Sequence, residues 1–394
     1  MNYIIDCEMT VVEKNVTATV DFINASDSKT VWSETYEETV EEIFATKSAV
    51  TSKIADTIGI KVASETAKDI GNTSTENSEA FKLYTQGRTL WYTRSEAGMR
   101  QSLKLYDKAI AQDPEFAEAY SGMADAYSML GVYSFMDRDI AYPKAREFAI
   151  ESITRNPNLA EAYVALAWIQ FAYDWKFTES EKNYRKAIKV NPKFAQAYHW
   201  LGINLTSQAK HENAYSRFEK ALELDPDNHV ILMNFATSAL ENKRFSEAEV
   251  ACKRGLSVAP GYSQNWERLY TAYLLQGSKD KNIDDLVKDI EPLKSKNREI
   301  YYILAHYYKK RNTVKFQKYL SEGRSYAETE KGMQLDRYQI LDGDFNKYMD
   351  AAEQAYEERK LQYNFGVNSA HLLIGENRDN PRYKALVKKF REGR

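Results

Sequence analysis

A mainly α protein, built as an α–α solenoid behind a small, incomplete α/β segment, is what this sequence predicts. Three observations carry that reading. A phrase ending in proline returns five times, with spacings that settle at 34 residues. Glycine and proline are scarce, 16 and 8 in 394 residues, which disfavours a turn-rich all-β fold and favours long helices. Only the opening stretch, residues 3–36, alternates with a period of two, the mark of half-buried strands.

In that opening stretch Ile5, Cys7, Met9 and Val11 share one face and Asp6, Glu8 and Thr10 the other. Past a turn at Glu13–Asn15, Val16, Ala18, Val20 and Phe22 alternate with Thr17, Thr19 and Asp21, and a third short strand is expected over Val31–Tyr36. Residues 38–60 change to helical spacing, with Val40, Ile43, Phe44, Val50, Ile54 and Ile58 on one stripe. A β-meander and one helix bury little by themselves, so the segment 1–61 reads as part of a domain, with Met1 opening inside it. Residues 62–78 are polar and rich in Ser, Thr and Asn, the expected linker.

From residue 79 the repeat begins. Pro114, Pro157, Pro192, Pro226 and Pro260 close the phrases AIAQDP, SITRNP, AIKVNP, ALELDP and GLSVAP. Five positions before each proline stands a small residue: Ala109, Ser152, Ala187, Ala221 or Gly255. Downstream, Tyr120, Tyr163, Tyr198, Leu232 and Trp266 occupy the head of the next helix. The physical reading is two antiparallel helices per repeat. Small residues let the axes approach to roughly 8–10 Å. The aromatic fills the gap to the neighbouring repeat, and proline stops the second helix. The 43-residue step from Pro114 to Pro157 marks an insertion near Gly131–Tyr142, with Tyr133 and Phe135 as candidate exposed aromatics.

This pattern resembles the tetratricopeptide repeat, whose resemblance implies a right-handed superhelix of helix pairs with a concave groove. It extends over 79–330 as about six to seven repeats, weakening after 297, where Tyr301, Leu304, Ala305 and Tyr308 still fit a first helix. Residues 331–394 are expected to cap the array, with helices at Gln334–Leu341 and Asn346–Leu361. The stretch KTVWSETYEETVEEIFATKSAVTSKIADTIGIKV, with EAFKLYTQGRTLW, YDWKF and DNPRYKALVKKF, resembles a TolB-like module joined to such repeats in bacterial signalling proteins. That resemblance implies an upstream output domain, such as an adenylate cyclase, a winged-helix regulator or a kinase, which this chain does not contain.

His199, His211, His229, His306 and His371 form no metal-ligand spacing, and no phosphate-binding glycine motif or nucleophile elbow occurs. Cys7 and Cys252 are expected as buried thiols, without a disulfide framework. The acids Glu37, Glu38, Glu41 and Glu42 suit a helix start. The aromatics, in a chain with 28 tyrosines, recur at repeat spacing, as core residues would. A net charge of −3 gives no electrostatic reason to bind nucleic acid. With no membrane span or signal peptide evident, a cytoplasmic location is expected, or a periplasmic one behind an upstream membrane segment. The expectation is therefore a non-enzymatic chain without cofactor or metal.

The resemblance implies that the second, fifth, ninth and twelfth residues of each first helix face the groove. Those are Glu118, Ser121, Asp125 and Ser128; Glu161, Val164, Trp168 and Phe171; and Gln196, His199, Ile203 and Thr206. Val230, Met233, Thr237 and Leu240 follow, then Gln264, Glu267, Thr271 and Leu274. An apolar, aromatic centre with acidic flanks suits a helix or an extended peptide with apolar anchors. The chain's own C-terminal helices are the alternative occupant. Two functions follow: a protein-interaction scaffold, or the regulatory C-terminal part of a signalling protein. A homodimer through an exposed edge of the N-terminal sheet is also expected.

Overall fold

The computed structural model describes residues 3–12, 15–24, 29–39, 75–296, 298–329, 341–357 and 380–392. The expected helix over 38–60 lies outside them apart from Glu38 and Thr39, which belong to a strand, so Glu37 and Glu38 do not stand at the helix start expected of them. Most of the expected linker, the helix at 334–341 apart from Leu341, and residues 358–361 also lie outside. The chain divides into two compact units, residues 1–135 with 151–157, and residues 136–150 with 158–394.

The first unit holds an antiparallel sheet of β1 (Tyr3–Val12), β2 (Asn15–Asn24) and β3 (Lys29–Thr39) in the order β1-β2-β3. The predicted alternation is seen on β2, where Ala18, Val20 and Phe22 are buried and Thr17, Thr19 and Asp21 are half-buried. Register places Cys7 opposite Val20 and Met9 opposite Ala18. β3 is longer than the Val31–Tyr36 expected, and a ladder irregularity at Phe22/Ile23 accompanies the stacking of Phe22 on Trp32 at 5.5 Å.

The same unit contains α1 (Ser78–Tyr92), α2 (Glu96–Gln112) and α3 (Ala117–Val132). Asn77 caps α1 by accepting from the Ala80 N–H, and its own amide donates to the Gln112 carbonyl. The fully buried Tyr106 ring fits between glycines: a Cβ would come within 2.5 Å of it at Gly87 and 2.9 Å at Gly122. Residues of α4 (Arg138–Arg155) fall in both units. In the first, Ser152 Oγ donates to the Ala117 carbonyl and the Arg155 guanidinium lies 3.9 Å over the Tyr120 ring.

The insertion is taken up chiefly by helix. Compared with the next pair, α5 (Ala160–Ala172) and α6 (Phe177–Val190), α3 is longer by three residues and α4 by four. Tyr133 is exposed at the joint and stacks on Phe135.

The second unit continues with α7 (Ala195–Ser207), α8 (His211–Leu224), α9 (His229–Glu241), α10 (Phe245–Val258), α11 (Ser263–Gln276) and α12 (Asp280–Ile290). A 3₁₀ turn (Glu291–Lys296) leads to α13 (Arg298–Tyr308) and α14 (Thr313–Thr329), then α15 (Phe345–Glu357) and α16 (Pro381–Glu392). The small residues are where the period put them: Ala109, Ser152, Ala187 and Ala221 are fully buried and Gly255 is buried. Each of the five carbonyls accepts the N–H four residues on, at 2.8–2.9 Å, closing its helix just before the proline. At helix heads Tyr198 Oη donates to the Pro192 carbonyl at 3.1 Å and Trp266 Nε1 to the Pro260 carbonyl at 3.2 Å.

A second periodic device ends the first helices. Arg94, Ser134, Trp175, Ala209, Lys243 and Gly277 all take positive φ, between 53° and 65°, and from Trp175 onward they fall 34 residues apart. The residue after four of them donates back five positions, Phe135 to Leu130, Lys210 to Leu205, Arg244 to Ala239 and Ser278 to Tyr273, at 2.8–3.0 Å. This is the left-handed helix terminus that glycine fits without strain. Five of the six positions carry a side chain nonetheless.

Candidate peptide-binding face of the first helices

The helices α3, α5, α7, α9 and α11 begin where the groove numbering requires. In the first unit Ser121 and Ser128 are buried, Glu118 is half-buried, and Asp125 pairs with Arg88 at 3.0 Å. Arg88 itself lies 4.4 Å over Trp91.

In the second unit the four positions separate by depth. The second residues face solvent: Glu161 and Gln196 are exposed, and Val230 and Gln264 half-buried. The fifth, ninth and twelfth are buried at Val164, Trp168, Phe171, His199, Ile203, Thr206, Met233, Thr237, Leu240, Glu267 and Thr271, while Leu274 is half-buried. The accessible line along this face therefore runs over the first turns of α5, α7, α9 and α11, and the deeper side chains pack beneath it.

Aromatic rings fill the deep layer at one end. Trp168 packs against Trp200 at 4.5 Å and Phe171 at 5.8 Å, and His199 lies 5.0 Å from Trp200. Polar groups fill the other end and satisfy one another. Asn234 Nδ2 donates to His199 Nε2 at 2.9 Å, which requires that nitrogen to be unprotonated. Burial lowers the His199 pKa from its ordinary 6.5 to about 4. Arg268 Nε donates to Thr237 Oγ1 at 2.9 Å while its Nη1 sits 3.0 Å from Glu267 Oε2. Thr237 and Thr271 hydroxyls donate to the carbonyls of Met233 and Glu267 in their own helices. On the α13 side the Tyr270 hydroxyl is hydrogen-bonded to His306 Nδ1 at 3.0 Å, and burial lowers the His306 pKa to about 4.

Trp200, Asn234 and Arg268 were not among the residues read from sequence. Each sits beside a groove position, and the signal was a polar or aromatic residue one step off the expected row. Cys252 is fully buried, and burial pushes its thiol up to about 12. Near the other end of this unit Trp175, in the turn between α5 and α6, packs 5.2 Å from Tyr356 of α15, over which Lys389 of α16 also lies. Through Tyr356, α15 thus contacts the array itself.

A family model for the tetratricopeptide repeat matches residues 205–273, the stretch from the end of α7 through α11. Residues 205–273 carry tetratricopeptide repeats. Proteins with these repeats generally mediate protein–protein interaction. The tetratricopeptide repeat-containing protein trd-1 of Caenorhabditis elegans is 29% identical over 168 residues, 42% of this chain and 20% of that protein. The protein O-mannosyl-transferase TMTC3 of Homo sapiens is 26% identical over 181 residues, 43% of this chain and 20% of its own. Transcriptional regulator HilA of Salmonella typhimurium is 23% identical over 148 residues, 38% of this chain and 27% of its own. This chain therefore spans a minor part of the relatives it matches. Among solved structures, a thermophilic TPR protein of Thermus thermophilus has 20% identity and a TM-score of 0.41, covering 50% of this chain and 99% of that one. Pseudomonas aeruginosa pilF has 12% identity and a TM-score of 0.45, covering 62% and 97%. No helix among the described residues is long and apolar enough to cross a membrane.

Proposed function

We propose that this chain is a non-enzymatic interaction scaffold that binds a peptide or protein segment along the first helices α5, α7, α9 and α11. One observation carries the reading: rings and polar groups under the accessible line are already fixed by one another, as in Trp168–Trp200 and His199–Asn234. A partner that docks on prefixed side chains loses little entropy to ordering them. Tryptophan and arginine are also the residues that concentrate binding energy. A peptide array or pull-down with the full chain tests it. Binding is expected to be lost in Trp168→Ala and Met233→Lys, with circular dichroism confirming the fold. The exposed variants Glu161→Lys and Gln196→Lys, which disturb no core, are expected to weaken it too. Unchanged binding in all four removes this face from the account.

A second reading is that the chain is the regulatory part of a longer bacterial signalling protein, behind a TolB-like module and an output domain. The partial likeness to a transcriptional regulator supports it. Genomic sequence upstream of Met1 decides: an in-frame output domain supports the reading, and an immediate stop codon removes it. A cytoplasmic location belongs to either reading. A homodimer through the outer strands β1 or β3 is part of the same proposal, and a single monomeric mass in concentrated light scattering would contradict it.

A further inference from the structure

On α11 the residues Trp266, Leu269 and Tyr273 follow i, i+3, i+7 spacing and form a stripe that shares no residue with the peptide-binding row. They line a cavity of about 370 Å³ together with side chains of α10 and α12. Its floor is apolar, from Leu256, Leu269 and Leu286, all buried. The Trp266 indole is held in place by its bond to the Pro260 carbonyl, so one wall is prefixed.

The mouth is acidic in balance. Asp285 and Asp289 stand one turn apart on α12 and both are exposed. Among the described residues Asp285 makes an ion pair only with Lys288, at 3.6 Å, and Asp289 makes none. The cation at the mouth, Lys253, is already committed: its Nζ lies 2.7 Å from Glu249 Oε1 and 5.8 Å over the Tyr273 ring.

An apolar floor, aromatic walls and a surplus of negative charge at the rim together define the occupant. It has a hydrocarbon stem, a flat cationic head and a length that places that head between ring and carboxylates. We propose that this pocket receives an arginine side chain of a second protein. The guanidinium stacks on an aromatic face while its N–H groups reach a carboxylate, which a compact ammonium does less well. The site does not depend on the peptide-binding face, so the chain holds one partner at two places or two partners at once.

The test uses the full chain and fluorescence anisotropy with a short labelled peptide carrying one central arginine between leucines and alanines. The same peptide with citrulline, a neutral isostere, is the comparison. Saturable binding of the arginine peptide, about ten-fold tighter than the citrulline peptide, is expected. Asp285→Asn with Asp289→Asn, both on the surface and harmless to the core, is expected to erase that difference. Trp168→Ala is expected to leave it intact. Equal binding of both peptides, no saturable binding, discrimination surviving the double variant, or its loss in Trp168→Ala overturns the proposal.

Discussion

The Phe218 ring of α8 rests on the backbone of Gly202 in α7, so closely that a Cβ at the glycine would meet its Cε1 at 2.8 Å. Close approach of the two helices of this repeat depends on that missing methyl. Gly202→Ala is therefore expected to lower stability by about 1–3 kcal/mol, although alanine favours the helix. Gly261→Ala, where nothing lies within 4 Å, is the control and is expected to change little. Thermal denaturation of the two variants checks the contrast.

The left-handed helix ends give a prediction of opposite sign. Ala209 and Lys243 hold φ of 59°, a conformation that costs an L-residue about 1–2 kcal/mol. Replacing either with glycine is expected to raise stability by about 0.5–1 kcal/mol, the relief being partly offset by a freer unfolded chain. Gly277→Ala, at φ 65°, is expected to lower it. Urea midpoints at constant slope would show both shifts.

The ion pair of Glu267 and Arg268 is buried, with side chains 10% and 6% exposed. Arg268→Met removes the guanidinium from beside a buried carboxylate and is expected to cost about 3–5 kcal/mol. Changing both residues to methionine is expected to recover most of that loss. A double-mutant cycle in chemical denaturation measures it; a double variant no better than the single one contradicts the assignment.

Acid should weaken the second unit. His199 and His306 are held neutral, with pKa values lowered by burial from 6.5 to about 4. Between those values the unfolded chain binds more protons than the folded one, so stability falls as pH drops from 6.5 toward 4. The loss is on the order of 3 kcal/mol per histidine at the lower end. Melting temperatures from pH 7 to 4.5 are expected to fall less steeply in His199→Gln and His306→Gln than in the parent chain.

What the sequence disclosed and what it hid divide along a physical line. Ala187, Ala221 and Gly255 announced themselves because every repeat meets the same packing problem and solves it with a small residue. Starts of α5, α7, α9 and α11 followed from the same period. Contacts between unlike positions had no such echo. Arg268 reaches Thr237 across 31 residues and Asn234 reaches His199 across 35, so neither repeats in step. Likewise Tyr356 meets Trp175 across the length of the second unit, which no local pattern encodes. The added length after Pro114 was visible as a count, but its absorption into α3 and α4 depended on helix continuation, which an insertion does not advertise. Depth along the candidate face was hidden for a related reason. Spacing gives direction around a helix axis, and coverage by neighbours is a three-dimensional quantity.

Because Trp175, Ala209, Lys243 and Gly277 share one backbone conformation at a fixed interval, the chain passes through the same local geometry every 34 residues. A gene cut after codon 209 and rejoined after codon 243 would splice like to like, with no new bend at the seam. Loss or duplication of such a cassette offers evolution a way to lengthen or shorten the array in whole steps, leaving each surviving joint unaltered.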